Sequence, residues 1–115
     1  MWIMVAHPYS AGGAGTAARE ANLLAMNTAA YALFEIGHLP LIGVNLALPL
    51  IAAAGADRDQ AVMMPLSLAL AERCDAILRI GGPSSGADAE VEVFRARALP
   101  VYYALADVPP ADPSG

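Results

Sequence analysis

Lysine is absent from this chain, cysteine occurs once, and charged residues fill only 15% of its 115 positions, well below the usual quarter. Six arginines stand against eleven acidic residues, for a net charge of −5. That balance excludes the basic patch that a nucleic acid or an anionic membrane requires. A lone Cys74 excludes a disulfide framework and a cysteine zinc site, and an unpaired thiol suits a reducing cytoplasm. Long apolar runs are missing as well. The stretches 44–56 and 61–71 are cut by Pro49, Pro65 and the "GADRDQ" turn, short of the ~18 uninterrupted apolar residues of a membrane span. The opening "MWIMVAHPYS" has no basic region before its polar turn, so it reads as a strand rather than a signal peptide.

What the chain does have is apolar surface, with hydrophobic residues at 57%. One domain of this length has too little interior to hide that much, which predicts a homodimer or higher homo-oligomer.

Apolar runs alternate with helical patterns. Strands are expected at 2–6, 39–44 ("LPLIGV"), 75–80 ("DAILRI") and 100–105 ("PVYYAL"). Helices are expected at about 17–36, where Ala, Leu, Met and Glu dominate before Gly37, at 58–73 with Asp57 near its start, and at 86–98. The segment 45–56 fits a short helix or an apolar loop. This alternation predicts an α/β fold, a flavodoxin/Rossmann-like three-layer sandwich with a parallel sheet of four or five strands. Residues 1–106 form its single domain, and the Pro-rich 107–115 reads as a flexible tail. Ligands of such sheets bind beyond the carboxyl ends of the strands, here at the loops 7–16, 43–47, 81–86 and after 105.

In the first of these loops, "GAGTAA" at 13–18 fits a dinucleotide fingerprint, but no acidic residue follows a second strand to hold a ribose. A nicotinamide cofactor is therefore not expected, and no other cofactor is. The backbone N–H groups around Gly13, at a helix start, suit an anion such as phosphate instead. His7 is either a catalytic base or a structural residue at the strand end, and Tyr9 at the turn is placed to line a pocket. His38, beside Gly37, is expected to meet the carbonyl end of the first helix. Two isolated histidines with no carboxylate cluster make no metal site.

The stretch "GGPSSGADAEVEVFRARALP" at 81–100 carries two glutamates early in a helix. Ser85 as N-cap with Asp88 three residues on resembles a capping box. At about 100° per residue, Ala87, Val91, Phe94 and Ala98 share the stripe that faces the sheet. Glu90 lies about 60° from Ala87, at the edge of that stripe, whereas Glu92 lies about 140° away, toward water. Glu92 is expected on the surface with Arg95 or Arg97. Glu90 is the carboxylate placed to be partly desolvated near a ligand.

"PYS" after the first strand, a helix ending in "GH-x-P", "CDAILRI" and then S-x-G-A-x-x-E at 84–90 resemble the nucleoside 2-deoxyribosyltransferase superfamily. They are most similar to its small branches, the 2'-deoxynucleoside 5'-monophosphate N-glycosidases among them. The resemblance spans about 3–103. It implies that Glu90 is a nucleophile toward the anomeric carbon of deoxyribose. It also implies that Ser84, with Ser85 and Gly86, binds a 5'-phosphate, and that Tyr9 with its neighbours His7 and Ser10 contacts sugar and base. The implied ligand is a nucleotide or nucleoside. One position departs from the pattern: Ser67 stands where the family has an aspartate that helps protonate the leaving base. The expected activity is cleavage of an N-glycosidic bond. A non-catalytic nucleotide-binding or sensing domain, and an interaction module, stay open beside it.

Overall fold

The apolar run Trp2–Ala6 forms β1, and the rest of the fold is arranged around it. In the computed structural model, which describes residues 1–55 and 59–112, β1 pairs in parallel with β2 (Leu39–Leu41) on one side and with β3 (Ala76–Arg79) on the other. β3 pairs in turn with β4 (Val101–Tyr102), also in parallel. The order β2-β1-β3-β4 means that the chain builds outward from β1 one way, then crosses back and builds outward the other way. The carboxyl ends of β1 and β3 therefore meet at the point where the order reverses.

Successive side chains of a strand face opposite sides of a sheet, and here both sides are covered. Ile3, Val5, Ala76 and Leu78 point to one side, where they pack with Met26, Ala30 and Leu33 of α1 (Thr16–Glu35). Met4, Ala6 and Ile77 point to the other and pack with Ala87, Val91 and Phe94 of α4 (Ser85–Ala96). This double coverage is why the central strands are apolar on both faces instead of alternating, up to Arg79 at the end of β3. The result is a three-layer α/β sandwich on a four-stranded parallel sheet, compatible with the flavodoxin/Rossmann-like class. Among the described residues no helix is long and apolar enough to cross a membrane.

Two helices lie between β2 and β3, α2 (Gly43–Ala54) and α3 (Asp59–Ala71), and they pack against each other. Residues 43 and 44, expected at the end of a strand, instead open α2. β2 is short and at the sheet edge, where Pro40 removes no ladder bond from a central strand. Pro49 and Pro65 sit inside α2 and α3, so tertiary packing outweighs the proline penalty in both. Asp57 lies outside the described residues.

α1 stops at Gly37. The His38 N–H donates to the Leu33 carbonyl at 3.1 Å and the Gly37 N–H to that of Phe34 at 3.0 Å, the paired bonds of a Schellman ending. Gly37 has φ +94°, and a Cβ there would come within 2.8 Å of that of Ala111. The His38 side chain does not meet the helix carbonyls as expected. It is buried, with Nε2 donating to the Pro109 carbonyl at 2.7 Å and Nδ1 3.0 Å from the Met1 amine. The segment after β4 is correspondingly docked through residue 112. A 3-10 turn covers Leu105–Asp107, Val108 is buried in the α1-side core, and the Ala111 N–H donates to the Ile36 carbonyl at 2.8 Å.

Cys74 is a buried free thiol just before β3. The Arg97 guanidinium donates to its carbonyl and to that of Ala71. Asp75 exchanges backbone and side-chain bonds with Trp2, which fixes the start of β3 against that of β1.

Candidate functional site

At the order reversal, where β1 and β3 end, the protein has a cavity of about 320 Å³. Four segments wall it: the β1–α1 loop, the first turn of α2, the middle of α3 and the start of α4. The first loop contributes His7, Tyr9 and Ser10. The His7 ring donates through Nδ1 to the Pro8 carbonyl at 2.7 Å, which leaves Nε2 as an acceptor in the neutral ring. The ring lies against Gly81, which has φ +83°; a Cβ there would approach the His7 Cδ2 and Nε2 atoms and the Pro8 Cδ to 2.7 Å. The two loops that carry the site are thus packed directly on each other. Tyr9 is held from the α1 side. Its carbonyl accepts from the Asn22 side chain at 2.9 Å, and the Arg19 guanidinium stands 5.9 Å from its ring centroid, within cation–π range.

The start of α4 contributes Ser84, Ser85 and Gly86. Ser84, not Ser85, is the N-cap: its Oγ accepts from the Ala87 N–H at 3.2 Å. The capping box does not form, because with Ser84 as N-cap the box position falls on Ala87, and Asp88 pairs with Arg79 instead, at 3.2 Å. Arg79 is buried, and its other nitrogens donate to the carbonyls of Ile80 and Gly82 at 2.6 and 2.8 Å. That leaves the Ser84 hydroxyl proton, the Ser85 hydroxyl and the first N–H groups of α4 for a ligand, at the positive end of a helix dipole.

Glu90, five residues further along α4, also lines the cavity. It is half-buried and has no hydrogen-bond or ion-pair partner among the described residues. Burial pushes its carboxyl up to about 7, against the opposing pull of the Arg79 cation. Glu92 is an exposed residue paired with Arg95 at 3.0 Å, and Arg97 faces Glu72 at 4.0 Å. Neither arginine neutralises Glu90.

Seven of the eight residues expected at the site from the sequence therefore share one cavity. Gly13 does not line it. It ends the exposed 3-10 turn Ala11–Gly13 with φ +70°, so its glycine serves the turn, and the "GAGTAA" stretch faces elsewhere. Six further residues line it, Ala11, Val44, Met63, Met64, Ser67 and Ala87, none of them expected as a site residue, Ser67 reading only as the place of a missing aspartate. Met63 and Ser67 are one turn apart on α3, a signal hidden by Pro65 in the same turn.

Across the Gly81–Pro83 turn lies a more open depression of about 490 Å³, where Arg79 and Asp88 are satisfied by each other. Among the described residues, no group of three or more His, Cys, Asp or Glu could hold a metal ion. Comparison with known proteins returns no matching family model, no matching curated protein and no matching solved structure.

Proposed function

We propose that the chain cleaves the N-glycosidic bond of a (deoxy)nucleoside 5'-monophosphate, as a nucleotide N-glycosidase or deoxyribosyltransferase-like enzyme with Glu90 as nucleophile. The observation that carries this reading is an unpartnered, half-buried Glu90 in the same mononucleotide-sized cavity as the open start of α4. At about 320 Å³ the cavity is at the small end for a ligand site, which suits one nucleotide and no dinucleotide. The 5'-phosphate would sit on Ser84, Ser85, Gly86 and the α4 N–H groups. Glu90 is about 7 Å further along the helix at 1.5 Å per residue, which leaves room for the sugar between the phosphate and the carboxylate.

The reaction then follows the retaining pattern. A Glu90 Oε atom bonds to C1' as the C1'–N bond breaks, and the electron pair leaves with the base. Water next adds to C1', its hydroxyl staying on the sugar and its spare proton ending on the departed base, which releases the sugar phosphate and the Glu90 carboxylate; in a transferase a second base replaces the water. His7, Tyr9 and Ser10 would hold sugar and base from the β1–α1 loop.

A second reading, a nucleotide-binding or sensing domain without catalysis, is favoured by one observation. Among the described residues that line the cavity, Glu90 is the only carboxylate, so none of them sets a second carboxylate opposite it. The two readings separate in one experiment. Purified protein and Glu90→Ala are incubated with deoxynucleoside and ribonucleoside 5'-monophosphates, and free base is followed by chromatography. Release by the wild type alone supports the enzyme. No release, with the monophosphates still raising Tm, supports the binding domain.

Exposed Leu24, Tyr31 and Phe34 on α1 support self-association into a homodimer or larger assembly, and the buried thiol of Cys74 suits a cytoplasmic setting.

A further inference from the structure

We infer that the α2 end of the cavity is a subsite for a keto oxygen of the nucleotide's base, formed by the Ser67 hydroxyl and the open N-terminus of α2. This rests on the proposed glycosidase reading and names its substrate class.

Ser67 is 2% exposed, lines the cavity, and has no hydrogen-bond partner among the described residues. Among the described residues no fully buried side-chain polar atom lacks a hydrogen-bond partner, so the Ser67 hydroxyl opens on the cavity, where its hydrogen bond is left for a ligand to make. Its position is fixed by Gly43. A Cβ at residue 43 would collide with the Ser67 Oγ, so the hydroxyl fills the side-chain space of the first residue of α2. The helix itself runs for twelve residues and has Ile42 as its N-cap, with no side-chain cap bond. An isoleucine cannot accept from the first-turn N–H groups, and Val44 of that turn lines the cavity. A donor-only helix end and a hydroxyl therefore converge on one place.

Such a place fits an acceptor, and best one that gains negative charge. Breaking the C1'–N bond leaves the electron pair on the base nitrogen, from which conjugation carries it to the keto oxygen across the ring, O4 of uracil or O6 of hypoxanthine. With the phosphate at the α4 start and the sugar at Glu90, the base extends toward the remaining walls, Val44, Met63 and Ser67. The base then departs as an anion stabilised at its keto oxygen and takes its proton from water afterwards. This takes the place of a second carboxylate, which the described lining residues do not supply, and it favours uracil or hypoxanthine over their amino counterparts, cytosine and adenine.

The test uses matched pairs that exchange that keto group for an amino group, with the accompanying change at the adjacent ring nitrogen, dUMP against dCMP and dIMP against dAMP, with wild type and Ser67→Ala. Base release is expected to be at least tenfold faster for the keto member. Ser67→Ala should reduce kcat on the keto member about tenfold and on the amino member less than threefold. Equal rates within each pair, or an equal loss on both members, would overturn the subsite. If no base is released from any nucleotide, the glycosidase reading falls separately and calorimetric binding of the same pairs decides. Tighter keto binding that Ser67→Ala abolishes supports the subsite, and indifference to the exchange overturns it. Circular dichroism and Tm verify that Ser67→Ala is folded.

Discussion

Arg79 and Asp88 close the turn between β3 and α4 from opposite ends, Nε donating to Oδ1 at 3.2 Å. The arginine is 8% exposed and the aspartate 68%, so the pair is a buried cation clamped from the surface. The same guanidinium holds the carbonyls of Ile80 and Gly82 and acts through space on Glu90. It shapes the turn and sets the charge beside it.

Replacing Arg79 by Met should therefore do two separable things. Loss of the two charge-assisted carbonyl bonds should destabilise the fold by about 2–3 kcal/mol, read from urea melts. Loss of the cation should also raise the Glu90 pKa further, moving the acid limb of base release to higher pH. A variant with lowered stability and an unmoved limb would reduce Arg79 to a purely structural residue.

Glu90 must be ionised to attack carbon. With its carboxyl at about 7, kcat/KM should fall as pH drops through that value. A limb near pH 6 that Arg79→Met leaves in place would instead report the second ionisation of the substrate phosphate. Glu90→Gln should lose more than about a thousandfold in base release.

The same residue should weaken the fold. A carboxyl whose folded pKa is raised binds its proton more tightly folded than unfolded, so stability falls as pH rises between the ordinary carboxyl range and about 7. Glu90→Gln removes that burden. The variant should exceed wild type by about 1–3 kcal/mol at pH 8, with the gain shrinking toward zero near pH 4. Denaturant melts across this range would show it, and a constant difference at all pH values would contradict it.

Gly81→Ala should harm both stability and binding. Residue 81 has positive φ, and an added methyl runs into His7 and Pro8. A loss of at least about 1 kcal/mol is expected from the backbone alone. Because His7 must shift, KM for a monophosphate should rise in the same variant. An unchanged KM would show that the His7 ring does not touch the ligand.

The strands and the first and last helices are legible in the sequence because their apolar pattern and their punctuation at Gly37 and Ser84–Gly86 agree. α2 is legible only in part, since 45–56 fits a short helix or a loop cut by Pro49, and Gly43 and Val44 read as the end of a strand. The helix forms because Val44 and Ala47 are buried and α3 packs against it, a reward that no local window contains. The site is legible to the same depth. Angular position on the helix separates Glu90 from Glu92, and the structure keeps them apart as that geometry requires. Ser67 reads in sequence only as a missing acid, since its environment is made by Gly43, 24 residues away. Gly13 misleads because a glycine-rich turn at a helix start looks alike whichever way it faces.

The buried thiol before β3 has a practical consequence. Burial above all, with the neighbouring Asp75 adding to it against the Arg97 cation, pushes Cys74 up to about 11. It therefore carries almost no thiolate at neutral pH. Thiol-directed dyes and spin labels should leave the native chain blank, so a cysteine introduced at exposed Leu50 of α2 or Glu92 of α4 would be tagged alone. Distances between two such tags could then be followed as nucleotide is added, without first deleting a residue from the core.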